Sequence, residues 1–113
     1  MILKAKEMGF ETHVFAWQDG SIGERTADHF YPVSIVEIDE ILEKCREIKP
    51  DAVATIASDL ANITVSKVAA GLGLPGNTPE CIELSTNKYA MRSAFLKAGL
   101  PTPKFYKVDR VIP

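Results

Sequence analysis

The sequence predicts an α/β fold built around a parallel sheet, and three observations point there. A helical pattern over 38–48 ends at Pro50-Asp51 and runs straight into the apolar stretch 51–57, DAVATIA, which reads as a strand buried on both faces. A second helical pattern, with Val65, Val68, Ala69 and Leu72 inward, follows that stretch and stops at Gly73. Upstream, Thr12-His13-Val14-Phe15-Ala16-Trp17 is β-branched and aromatic and lies between a glycine and Asp19-Gly20. Strands alternating with helices in this rhythm belong to a parallel sheet covered by helices.

The elements follow in order. Residues 2–8, ILKAKEM, read as the end of an amphipathic helix released by Gly9. No capping residue precedes Ile2, so this helix lacks its natural beginning and the sheet its first strand. THVFAW is then a strand. The polar segment 18–28, QDGSIGERTAD, is expected to be a loop. His29-Phe30-Tyr31-Pro32-Val33 is a shorter strand, and Pro32 marks an edge or a strand end. Ser34 and Glu37 have the capping-box spacing, with Asp39 a second candidate cap. Ile38, Ile41, Leu42, Cys45 and Ile48 form the inward face of the helix that follows.

After Gly73, Leu74-Pro75-Gly76 enters a loop, and the alternation of strand and helix stops. We therefore divide the chain into 1–76 and 77–113. Pro79 to Leu84 is one or two helical turns. Thr86 or Asn87 caps a clearer helix with Met91, Ala94, Phe95 and Ala98 on one face and Gly99 at its end. Leu100-Pro101-Thr102-Pro103 is forced to be extended, and Lys104-Phe105-Tyr106-Lys107-Val108 reads as a final strand.

Composition narrows the function. The chain has 113 residues, 46% hydrophobic and 25% charged, with a net charge of −2. Those fractions belong to a globular domain and exclude a disordered or collagen-like chain. The charge gives no electrostatic case for nucleic acid or an anionic membrane. No apolar run reaches the roughly 20 residues of a bilayer span. Lys4, Lys6 and Glu7 break the apolar start, so we expect no signal peptide and a cytoplasmic location. Two cysteines, Cys45 and Cys81, are too few for a disulfide framework or a cysteine-rich zinc site.

Few motifs carry chemistry. Gly71, Gly73 and Gly76 follow a helix rather than a strand, the wrong context for cradling a pyrophosphate. His13 and His29 have no metal-ligand spacing around them, so no metal site is expected. Cys45 reads as a small core residue. No nucleophile–His–acid arrangement can be built, and no catalytic residue is assigned. Ser58-Asp59 sits at the carboxyl end of the predicted strand 51–57, the edge at which open α/β sheets bind ligands. An aspartate before a helix, as Asp59 is, is also an ordinary N-cap. Lys88, in the first helical turn after Asn87, is mildly disfavoured by the helix dipole, yet that same terminus attracts anions. It is a candidate phosphate contact or a solvated surface lysine.

The order of segments resembles the N-terminal region of the ATP-grasp superfamily, in particular its carbamoyl-phosphate-synthase-large-chain-like and biotin-carboxylase-like members. The resemblance runs through THVFAW, ADHFYP, EIKPDAV, TIASDLA, GLGLPGN and STNKYAMRSAFLKAGLPTPKF, and so spans nearly the whole chain. It implies a Rossmann-like pre-ATP-grasp domain over 1–76, lacking its first strand, and the start of the ATP-grasp domain over 77–113. It places Lys88 on ATP phosphates and Ser58 and Asp59 on the acceptor-substrate side. It implies ligase chemistry in which ATP activates a carboxylate as an acylphosphate for attack by an amine or similar nucleophile, with Mg²⁺. The family's ATP clamp and metal-binding carboxylates have no counterpart in these residues. ATP and Mg²⁺ are therefore expected in a parent enzyme, with neither held by this chain alone and the chain alone inactive. The alternative is a small stand-alone binding or interaction module on the same scaffold. In either case the bare strand edge predicts a homo-oligomer, through edge pairing or exchange of 104–108.

Overall fold

The structure is a computed structural model and describes residues 1–110. Over these residues it is mixed α/β, with six helices and a two-stranded parallel sheet. It divides into two compact units, Met1–Gly76 and a second beginning at Asn77.

The first unit opens with α1 (Ile2–Glu7), which Gly9 ends at φ +85°, a conformation open to glycine because it lacks a Cβ. The strands β1 (His13–Phe15) and β2 (His29–Tyr31) pair in register, His13 with His29 and Phe15 with Tyr31. Both are shorter than the predicted strands. β2 stops where Pro32 removes a donor.

Between them the segment expected to be a loop holds a short helix, α2 (Ile22–Thr26). Ser21 caps it by accepting from the Glu24 N–H, and Glu24 reaches back to the Gly20 N–H at 2.8 Å. Polar composition concealed a capping arrangement whose glycines lie at the turn and inside one short helix.

Helix α3 (Ile38–Ile48) and helix α4 (Asp59–Leu72) carry the core. Ile41, Cys45 and Val68 form its buried centre, with Phe15, Val33, Leu42, Val53 and Leu72 packed around them. Each large aliphatic side chain so buried contributes about 1.5–3 kcal/mol. The predicted capping box does not form at α3. Glu37 is the N-cap and makes no side-chain cap bond, while Ser34 Oγ accepts from the Val36 N–H at 3.5 Å. Asp39 lies inside the first turn. Lys49 closes α3 in the left-handed region at φ 55° and Pro50 follows.

The stretch 51–57 is not a strand. Val53 packs on the α3–α4 core as the apolar pattern required, but no described strand lies alongside to complete a ladder. Ala57 then turns the chain at φ +61° into α4.

In the second unit, α5 (Pro79–Thr86) begins with Thr78 as cap and Pro79 at its first position. Asn87 caps α6 (Lys88–Lys97), and Gly99 follows at φ +70°. Ile82 is the buried residue of α5, whereas Phe95 of the predicted inward face is 39% exposed. Residues 104–108 form no strand, and Tyr106 and Val108 are exposed. Phe105 instead meets Tyr89 edge to face at 5.5 Å. No described helix is long and apolar enough to cross a membrane.

Candidate functional site

Ser58 and Asp59 open α4. Ser58 has extended backbone angles, and its Oγ accepts from the Ala61 N–H at 3.1 Å. Its carbonyl accepts from the Asn62 N–H at 3.0 Å. The hydroxyl is thus engaged as a helix cap. Asp59 follows in the first turn, where a carboxylate complements the positive end of the helix dipole. The residue before them, Ala57, sits in a region that costs a non-glycine residue about 1–2 kcal/mol.

Lys88 is the first residue of α6 and is exposed. The cap beside it is well formed: Asn87 Oδ1 accepts from the Tyr89 and Ala90 N–H groups, both at 3.1 Å. The Met91 N–H goes to the Asn87 carbonyl. The Asn87 amide in turn donates to Glu83 at 2.7 Å. These bonds use donors that an anion at the helix terminus would otherwise take. An anion at this terminus would meet the Lys88 ammonium and few unengaged backbone N–H groups. Ser58 and Asp59 belong to the first unit and Lys88 to the second.

A third group of residues was not expected to form a site. Glu11, His13 and His29 place three ligand-capable atoms within 4.8 Å of one another. The parallel register is the cause: it sets His13 directly beside His29, with ring centroids 4.5 Å apart and planes 16° from parallel. Glu11, just before β1, bonds His29 Nε2 at 2.7 Å and lies 3.4 Å from His13 Nε2. On its other side, His13 Nδ1 is 3.0 Å from the Tyr31 hydroxyl. Tyr31 stacks on Phe15 at 4.7 Å, and Phe15 is anchored on the core. One face of the sheet is thus a row of four rings, half-buried against the core at the Phe15 end and open at the His29 end. Sequence spacing around each histidine held no signal, because the partners come from two strands joined by a loop and a helix. A strand-pairing argument placing residue 13 opposite 29 would have found them.

Beside this group, Asp28 closes on Lys6 and Thr12. The Lys6 ammonium, the Thr12 hydroxyl and the Thr12 N–H hold its carboxyl well below the usual carboxylate range. Cys45 lies in the core, and burial pushes its thiol up and away from reactivity. Comparison of the chain with protein-family models, curated proteins and solved structures finds no match.

Proposed function

We propose that this chain is the N-terminal, substrate-side portion of an ATP-dependent carboxylate ligase of the ATP-grasp type. In this reading residues 1–76 are its Rossmann-like first domain and 77–113 open the nucleotide-binding domain. The observation that carries the reading is Lys88 at the first position of a well-capped helix, within the segment STNKYAMRSAFLKAGLPTPKF that resembles the family's entry to its nucleotide site.

The residues present suit a phosphate contact. A lysine on the rigid start of a capped helix offers a positioned ammonium, and charge-assisted bonds to phosphate are the strong class. They do not suit Mg²⁺. That ion takes oxygen ligands, whereas the one cluster of three or more ligand-type side chains among the described residues is rich in imidazole. In the parent enzyme ATP, with Mg²⁺ bound elsewhere, supplies the phosphoryl group that activates a carboxylate. This chain's part is to bind and orient. In this reading Lys88 neutralises charge on the phosphates, and Ser58 and Asp59, at the start of α4, take the acceptor-substrate side. The location that follows from this role is the cytoplasm.

The test is calorimetric titration of the full-length protein with ATP, wild type against Lys88→Ala. Loss of a charge-assisted phosphate bond, worth about 1.5–3 kcal/mol, weakens binding by roughly ten- to a hundredfold. Because Lys88 is exposed, the variant keeps its circular dichroism spectrum. Equal affinity in the two proteins removes Lys88 from the nucleotide site.

A further inference from the structure

We propose that Glu11, His13 and His29 form a binding site for a late first-row divalent metal ion of the Zn²⁺ class, at the open end of the two-stranded sheet. This site is independent of the ligase reading and involves none of its residues.

The donor set selects the ion. Two imidazole nitrogens and one carboxylate oxygen suit Zn²⁺ and its neighbours and not Mg²⁺ or Ca²⁺. The spacing is within reach of one ion after a modest adjustment, since all three donor atoms lie within 4.8 Å of one another. Metal–ligand bonds of about 2.0–2.1 Å in a tetrahedron separate neighbouring donors by roughly 3.3 Å. The Glu11 oxygen lies 3.4 Å from His13 Nε2 and 2.7 Å from His29 Nε2. At present the carboxylate and the His29 nitrogen share a hydrogen bond, so the ion takes the place of the proton between them, which passes to His29 Nδ1 or to solvent.

The outer shell is also in place. The Tyr31 hydroxyl accepts from His13 Nδ1–H in one of the two tautomers, and that tautomer leaves the Nε2 lone pair free for metal. Tyr31 is itself fixed by the ring of Phe15, so His13 is the oriented ligand. His29 is the adaptable one. The two rings are stacked, so their lone pairs run side by side and converge only when one ring turns. His29, with half its side chain exposed, has room to rotate about its soft χ2 torsion. Three protein ligands leave a fourth position to solvent, which the exposure of Glu11 and His29 allows.

A bound ion joins the entry of β1 to that of β2, tying together two short strands whose ladder spans three residue pairs. It should therefore stabilise the fold by mass action.

The experiment is titration of the full-length protein, free of any histidine tag, with Zn²⁺. Calorimetry and thermal unfolding follow binding, and Co²⁺ substitution reports coordination geometry through its visible absorption. The expected result is one equivalent at this site, a higher unfolding temperature, and a tetrahedral Co²⁺ spectrum. Glu11→Gln and His29→Gln each weaken binding at least tenfold and abolish the thermal shift. Both side chains are exposed, so these variants fold, which circular dichroism checks. Tyr31→Phe weakens binding about tenfold while keeping the Co²⁺ geometry. Three outcomes overturn the proposal: no binding by the wild type, undiminished binding in either ligand variant, or binding lost instead in Cys81→Ser, whose exposed thiol is the competing donor.

Discussion

Lys6 and Asp28 meet at 2.7 Å, joining the first helix to the residue that precedes β2. The same carboxylate accepts from the Thr12 N–H at 2.9 Å and its hydroxyl at 2.7 Å, and the Asp28 N–H returns a bond to that hydroxyl at 3.0 Å. Thr12 is buried. One side chain thus fixes where α1, β1 and β2 begin relative to one another, and so sets the register that brings His13 beside His29.

Stability should therefore depend on pH through Asp28. Its folded-state carboxyl is held down, first by Lys6 and then by Thr12. The stabilisation is complete above the ordinary aspartate value of about 3.9. As pH falls through that value the unfolded chain takes up a proton that the folded chain does not, and stability is lost. Asp28→Asn keeps an oxygen acceptor for Thr12 but no charge for Lys6. Urea unfolding at a series of pH values should show a shallower decline on the acid side for the variant. Parallel curves for the two proteins would remove Asp28 as the cause. Salt at about 1 M should weaken the Lys6 part in the wild type, since the pair is partly exposed.

Gly71 lies in the last turn of α4, where Leu42 explains it. A Cβ at 71 would lie 2.9 Å from both Leu42 methyl carbons. An alanine in a helix is ordinarily better than glycine, by about 0.5–1 kcal/mol in the interior and less in the last turn. Here the Leu42 side chain, itself packed on the core, has to move, at a cost of about 1–3 kcal/mol. Gly71→Ala should therefore be net destabilising by about 1 kcal/mol. In a Leu42→Ala background the same change should become stabilising. Denaturant midpoints for the four proteins of this cycle check it, and a sign that does not invert refutes the contact.

Much of this was readable in the residues, and the misses have physical causes. The 3.6-residue pattern at Ile38, Ile41, Leu42 and Cys45 and the glycines at 9, 73 and 99 gave helix α3 and three helix ends correctly. The apolar run at 52–57 gave a buried position for Val53 but not its state, because burial and strand pairing are separate conditions and only the first is written in hydropathy. Phe105 and Tyr106 looked like strand residues. One is held by a ring contact to Tyr89 and the other is 86% exposed, a local outcome that composition does not distinguish. The candidate residues Ser58 and Lys88 were legible as helix starts. The histidine pair was not, since it exists only through the register of two strands.

The cap at Ser58 separates its structural role from any binding role. Removing the hydroxyl frees the Ala61 N–H, and Ser58→Ala should cost about 1 kcal/mol. Ser58→Asp retains an acceptor at the N-cap and should restore most of that stability. Thermal unfolding of both variants checks this. An alanine variant as stable as the wild type would show that the Ala61 bond contributes nothing.

Ala57 offers a change in the other direction. At φ +61° its Cβ is strained, and glycine removes the strain while adding entropy to the unfolded chain. The first effect is about 1–2 kcal/mol and the second about 0.5–1. Ala57→Gly should thus raise stability by about 0.5–1 kcal/mol, read as a higher denaturant midpoint. A loss of stability would mean that the left-handed turn is not populated in solution.

The sheet edges make the last prediction. The His29 N–H bonds the Thr12 carbonyl and the Ala16 N–H bonds the Tyr31 carbonyl, so Thr12 and Ala16 face β2. Alternate residues of a parallel strand direct their backbone groups to opposite sides. The groups of His13 and Phe15 therefore point to the other edge of β1, where no described strand pairs with them. The outer edge of β2 is better protected, since Pro32 follows directly and lacks a donor. An edge with two consecutive pairing positions and no proline invites a second copy. The chain should associate through β1, and sedimentation velocity over two decades of concentration should show the average mass rising. A single monomeric species at every concentration refutes association through this edge. Exchange of 104–108 is the less favourable route, because that segment forms no strand to donate.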